Sequence, residues 1–122
     1  MSEIQGIARL KIHAGKLDDF KAVTEKCIGV VRTRDTGTLQ YEIYLNEDQT
    51  ECVVLERYRD SDALIEHSKN IGKLMEEMMQ TCSGGGEVCG NASDVLRKQL
   101  DGSPVRVFST FKKVSFDDSG AT

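Results

Sequence analysis

The chain contains no tryptophan, a single proline, two histidines, three tyrosines and four phenylalanines in 122 residues. It has no apolar run long enough to cross a bilayer, which argues against membrane insertion. It also has no basic block. Lysine and arginine total 16 against 20 acidic residues, so the surface carries a net charge of −4. Such a surface repels phosphate backbones and offers little counterion release on binding, so nucleic acid is not an expected partner. Met1 to Gln5 lack a basic segment followed by an apolar stretch, so no secretory leader is expected and the expected compartment is the cytoplasm. There Cys27, Cys52, Cys82 and Cys89 are reduced thiols, and Asn91-Ala92-Ser93 has no meaning as a glycosylation site.

What is present is the composition of an ordinary globular protein, 39% hydrophobic and 30% charged. Its length suits one domain with a modest core. Residues 4–12 alternate, with Ile4, Gly6, Ala8, Leu10 and Ile12 opposite Gln5, Ile7, Arg9 and Lys11, the period of a strand. From Lys16 the period changes: Leu17, Phe20, Val23, Cys27, Val30 and Val31 recur at helical steps, with Asp18 and Asp19 in the first turn, predicting a helix to about Arg34. Leu39–Leu45 and Cys52–Tyr58 alternate again around the hairpin loop Asn46–Thr50. Asp60 or Ser61 caps a second helix whose stripe runs Ala63, Leu64, His67, Ile71, Leu74, Met75, Met78 and Cys82, with a break near Asn70–Gly72. Consecutive glycines at Gly84–Gly86 are expected to stop that helix and to form a loop insertion, with Cys82 and Cys89 as free thiols in it. A short helix over Ser93–Leu100, a turn at Asp101–Pro104 and a last strand over Val105–Phe111 follow.

This order predicts an α+β, ferredoxin-like (βαββαβ) domain with an antiparallel sheet over residues 1–114, and a mobile tail over 115–122. Helices on one face leave the other, with Ile7, Tyr44, Val53, Leu55 and Phe108, in need of a cover. A second copy of the sheet is the economical one, so a homodimer is expected.

Gly37-Thr38-Leu39-Gln40-Tyr41-Glu42, Glu56-Arg57-Tyr58 and Ala63-Leu64 followed by His67 stand in the order and spacing of the antibiotic-biosynthesis monooxygenase (ABM) family, which the chain resembles over roughly residues 4–80. Gly15-Lys16-Leu17-Asp18-Asp19-Phe20 after the first strand is similar as well. The resemblance implies a face-to-face dimeric α/β barrel with a ligand cavity between sheet and helices. It implies oxidation of a small phenolic or quinol-type compound by O₂ without metal, flavin or haem, the partner being a small aromatic or apolar ligand. Haem-degrading members carry a pocket tryptophan and an axial histidine on the second helix. This chain has no tryptophan and no further histidine after His67, so that activity is disfavoured.

His67 follows the apolar stripe of its helix, which directs an imidazole inward where it can act as a base. A hydrogen-bonded core histidine would occupy the same place. Tyr41 and Arg57 are candidates to orient an anionic or enol-like ligand, although a packing aromatic or a surface ion pair is the favoured account of each. Tyr41 and Tyr44 are an odd number of residues apart and face opposite ways. Met75, with Met78 and Met79, would line a pocket for a flat substrate or simply fill the core. Asn46 and His13 read as turn residues. The spacing of Cys82 and Cys89 fits neither a Cys-x-x-Cys pair nor zinc, and Gly84–Gly86 lacks the ending of a phosphate loop. The competing functional class is a non-catalytic small-ligand-binding or stress-response module on the same dimer, and a thiol switch at Cys82 or Cys89 is a third possibility.

Overall fold

Residues 2–116 are described by a computed structural model of the chain. The alternation at the start forms β1 (Ile4–Ile12), with Ile4 and Gly6 buried while Gln5, Arg9 and Lys11 face water. Helix α1 (Leu17–Arg34) buries Phe20, Val23, Thr24 and Cys27, three or four residues apart on one stripe. Strands β2 (Thr38–Leu45) and β3 (Glu51–Tyr58) pair antiparallel. Their loop is held by Asn46, whose Oδ1 accepts the backbone N–H groups of Thr50 and Glu51, each at 2.9 Å.

Helix α2 (Ser61–Ile71) is capped by Asp60, which accepts the Ala63 N–H at 2.9 Å and so satisfies one of the donors a helix start leaves free. Gly72, at a φ of 51°, ends it, and the short α3 (Leu74–Met79) restarts the chain in a new direction. The expected break is thus a full stop. The helical stripe also ends earlier than its pattern implied, since Cys82 begins a strand.

That strand is the main departure from expectation. Cys82–Cys89, glycines included, is β4, hydrogen-bonded along its length to β1. Its glycines meet a close approach of backbone, where a Cβ on Gly84 would stand 2.0 Å from the Arg9 carbonyl oxygen and one on Gly86 2.0 Å from that of Ile7. A breaker in isolation, the run is the sequence that lets this strand sit against its neighbour. Cys82 is therefore a buried core residue and Cys89 a half-buried strand residue, and neither lies in a loop.

Helix α4 (Asp94–Leu100) opens on Ser93, whose hydroxyl accepts the Leu96 N–H, and returns the chain to β5 (Val105–Phe108). The last strand is shorter than expected and is a fifth one, parallel to β4. The sheet order is β2-β3-β1-β4-β5, a ferredoxin-like α+β arrangement with one parallel edge strand. The last six residues of the expected tail, 117–122, lie outside the described residues. Among the described residues no helix is long and apolar enough to cross a membrane.

The helix side of the sheet holds two clusters. Ile4, Tyr58, Leu64, Val88 and Leu96 form one, beneath α2 and α4, and Phe20, Cys52, Val54 and Cys82 form the other, beneath α1. Each large side chain so buried contributes about 1.5–3 kcal/mol. The opposite side carries Ile7, Val53, Leu55, Tyr44 and Phe108 among charged residues, and Tyr44 and Phe108 are exposed.

Candidate active site

Asp35 follows the last residue of α1, and its side chain turns back under α2 with only 1% exposure. Three groups converge on the carboxylate: Asn70 Nδ2 at 2.8 Å, the Thr38 hydroxyl at 2.7 Å and His67 Nδ1 at 2.7 Å. Burial works against its charge, yet these donors outweigh burial and hold the carboxyl below the ordinary aspartate range. An ionised carboxylate only accepts, so in the neutral imidazole His67 carries its proton on Nδ1 and Nε2 holds the lone pair. Nothing in the protein bonds to Nε2 among the described residues, and His67 lines a cavity. Two tyrosines brace the ring, Tyr41 with centroids 5.5 Å apart and Tyr58 at 5.4 Å.

Register on β3 adds a second polar group. Glu56 pairs across the sheet with Tyr41 on β2 and with Gly6 on β1, and it shares the helix-facing side with Cys52, Val54 and Tyr58. Gly6 leaves room there, since a Cβ at that position would already touch the Glu56 carboxyl at 3.5 Å. The Tyr58 hydroxyl donates to Glu56 Oε1. Burial nevertheless dominates and raises the Glu56 carboxyl above the ordinary glutamate range. Burial likewise raises the phenols of Tyr41 and Tyr58, which remain O–H donors. One end of the site therefore holds a carboxylate-backed imidazole and a carboxyl inclined to keep its proton.

The cavity extends from these groups between sheet and helices with a volume of about 380 Å³, within the range of small-molecule sites. Its walls are mostly apolar: Val54 and Val88 from the sheet, Leu64, Ile71 and Met78 from the helices above. Gly85 and Gly86 form part of the floor, so Gly86, which allows β4 to approach β1, also leaves space for an occupant. Cys27 lines it too, as an inert thiol whose ionisation burial opposes, and the Cys52 thiol behind is pushed up to about 11. Among the described residues no group of three or more His, Cys, Asp or Glu side chains is arranged to hold a metal ion.

Of the residues singled out in the sequence, His67, Tyr41 and Met75 meet at this cavity, and Met75, half exposed, stands toward its mouth. Arg57 is a correction. It stands next to Glu56 on β3, so its side chain leaves the opposite face of the sheet, where it bonds Glu3 at 3.2 Å and Gln40 at 3.4 Å and does not line the cavity. Sequence reading passed over Asp35, Glu56 and Tyr58. Glu56 had a signal, an acid at the parity of Cys52, Val54 and Tyr58 on the apolar side of a strand. Asp35 had none, because it reaches His67 across 32 positions only through tertiary packing.

Comparison with known proteins bears on the family and the fold. The family model for antibiotic biosynthesis monooxygenase matches residues 6–79. MupZ from Pseudomonas fluorescens superposes with a TM-score of 0.85 at 25% identity, covering 97% of this chain and 98% of its own. Rv0793 from Mycobacterium tuberculosis follows at 0.62 and 25%, over 71% of this chain and 90% of its own. SnoaB, a cofactor-independent oxygenase from Streptomyces nogalater, shares the fold at 0.61 and 16% identity, over 72% and 89%. No curated protein sequence matches the chain.

Proposed function

Since the chain belongs to the antibiotic biosynthesis monooxygenase family, we propose that it is a cofactor-independent monooxygenase that oxidises a small phenolic or quinol-type compound with O₂. The observation that carries this reading is the Asp35–His67 pair, its free Nε2 opening on a largely apolar cavity. An electron-rich substrate reduces O₂ itself once it has lost a proton, so the protein need supply only a base, an orienting donor and a dry chamber. His67 takes the proton, and Asp35 stabilises the imidazolium that forms. The Tyr41 hydroxyl is the orienting donor, and Met75 and Met78 adapt to a flat ring. The oxygenase described for SnoaB supports the class of reaction, and the walls of the cavity support the class of substrate.

Oxygen uptake with a panel of hydroquinones and anthrones tests the reading. His67→Ala should slow uptake by about a hundredfold, the usual size of a general-base contribution. Ligand-induced stabilisation of the wild type without oxygen uptake would leave a binding module instead.

The reading includes a homodimer in which the outer sheet face packs on its copy. Ile7, Val53 and Leu55 sit half-buried there beside exposed Tyr44 and Phe108, a patch whose burial favours association. Light scattering that finds only single subunits would remove the dimer. A reducing, cytoplasmic setting suits four cysteines that are all free.

A further inference from the structure

We propose that Glu56 is a second catalytic group of this cavity, a proton carrier that works in alternation with His67. The inference rests on the oxygenase reading and names the step that reading leaves open. Loss of one proton to His67 explains the reaction with O₂ and does not explain how the resulting peroxide is protonated and collapses.

Three observations place Glu56 at that step. It lines the same cavity as His67 and projects from the same side of the sheet as Tyr41, its cross-strand partner. Its Oε1 is occupied by the Tyr58 hydroxyl, which turns the carboxyl group to a fixed orientation, and Oε2 has no hydrogen-bond partner among the described residues. Tyr58 is completely buried and also braces the His67 ring, so one tyrosine sets both groups relative to each other. Arg57 beside it leaves the other face of the sheet, so no lysine or arginine pairs with Glu56 among the described residues, and His67 is the nearest group that can carry positive charge. Burial among apolar walls raises this carboxyl above the ordinary glutamate range against the opposing pull of the Tyr58 hydroxyl and His67, which favours its protonated form relative to a solvated glutamate. A purely structural carboxyl would more simply have been an apolar residue at this position.

The steps balance for a substrate with a methylene beside aromatic rings, such as an anthrone. His67 Nε2 removes one C–H proton. The carbanion forms a C–O bond to O₂, with carbon oxidised and oxygen reduced by two electrons. Glu56 gives its proton to the terminal peroxide oxygen and becomes a carboxylate. That carboxylate then removes the second C–H proton as the O–O bond breaks, carbon gives up two more electrons, and hydroxide leaves with the proton held by His67. The products are a quinone and one water, and both side chains return to their first states.

The test uses anthrone as probe, in two stages. Without oxygen, the absorbance of the bound anion reports the first proton transfer; with oxygen, anthraquinone formation reports the whole sequence. Glu56→Gln, which keeps the size and polarity of the side chain, should form the anion as the wild type does and lower quinone formation by about a hundredfold or more. His67→Ala should weaken both signals, each by about a hundredfold. Tyr58→Phe removes a hydrogen bond that favours the charged form, so the alkaline limb of its kcat profile should move to higher pH, a shift that a structural role would not produce. Glu56→Gln turning over at the wild-type rate, or Tyr58→Phe with an unmoved limb in a folded protein, overturns the assignment while leaving His67 as base. A wild type that neither forms the anion nor makes quinone overturns the oxygenase reading and this inference with it.

Discussion

Replacing Asp35 with Asn should cut catalysis severely while leaving the fold largely intact, and the reason is a proton position. In the wild type Asp35 Oδ2 accepts from His67 Nδ1 at 2.7 Å and from the Thr38 hydroxyl, while Oδ1 accepts from Asn70. An Asn side chain can keep the Asn70 bond through its oxygen, and its NH₂ then meets Thr38 and His67 as a donor. The Thr38 hydroxyl can rotate to accept. The imidazole can do so only by moving its proton from Nδ1 to Nε2, which removes the lone pair from the cavity. The expected loss of activity is about 10²- to 10⁴-fold, the range for a general base. The expected loss of stability is only about 1–2 kcal/mol, the difference between a charged and a neutral hydrogen bond. For a domain of this size that is a fall in Tm of roughly 3–10 °C. Asp35→Ala differs in kind, because it strands the Asn70 and Thr38 donors as well and should cost about 3–5 kcal/mol. A depressed carboxyl contributes stability that is present above the ordinary aspartate value of 3.8 and lost as pH falls through its lower folded-state value. The gap in Tm between wild type and Asp35→Asn should therefore be constant near neutrality and close in acid. Circular dichroism melts across pH, with oxygen-electrode rates beside them, check both halves. Asp35→Asn within threefold of wild-type activity would refute the role given to the dyad.

Two other outcomes follow from the packing. Gly86→Ala should lower stability by about 1–3 kcal/mol or prevent folding, because its Cβ would stand 2.0 Å from the Ile7 carbonyl oxygen, and chemical denaturation measures the loss. Glu56 has the opposite pH signature to Asp35: its raised folded-state carboxyl makes stability fall as pH climbs above the ordinary glutamate value of 4.5, so Glu56→Gln should flatten that part of the Tm profile, and an unchanged slope would count against a proton-holding Glu56.

Much of the fold was legible because its signals are local. Helix α1 declares itself by the period of Phe20, Val23 and Cys27 and by Asp18 and Asp19 in its first turn. Asp60 announces the start of α2 by the hydrogen bond it makes, and Asn46 the hairpin in the same way. The glycine run was illegible for the converse reason. Its tolerance for extended structure depends on the carbonyls of Arg9 and Ile7, more than 70 positions earlier, which no window around residue 85 contains.

The candidate site divides in the same manner. Periodicity alone decides that His67 shares a face with Leu64 and Ile71, and parity alone decides that Glu56 and Arg57 part company at the sheet, because side-chain direction follows from backbone geometry within one element. Only the tertiary structure could decide that Asp35, from the end of another helix, supplies the carboxylate to that imidazole, or that Tyr58 touches both His67 and Glu56. Those relations exist between elements, and they are set by how α1 and α2 settle on the sheet. A sequence states which side of its own element a residue leaves; which partner it finds there depends on the packing of all the elements together.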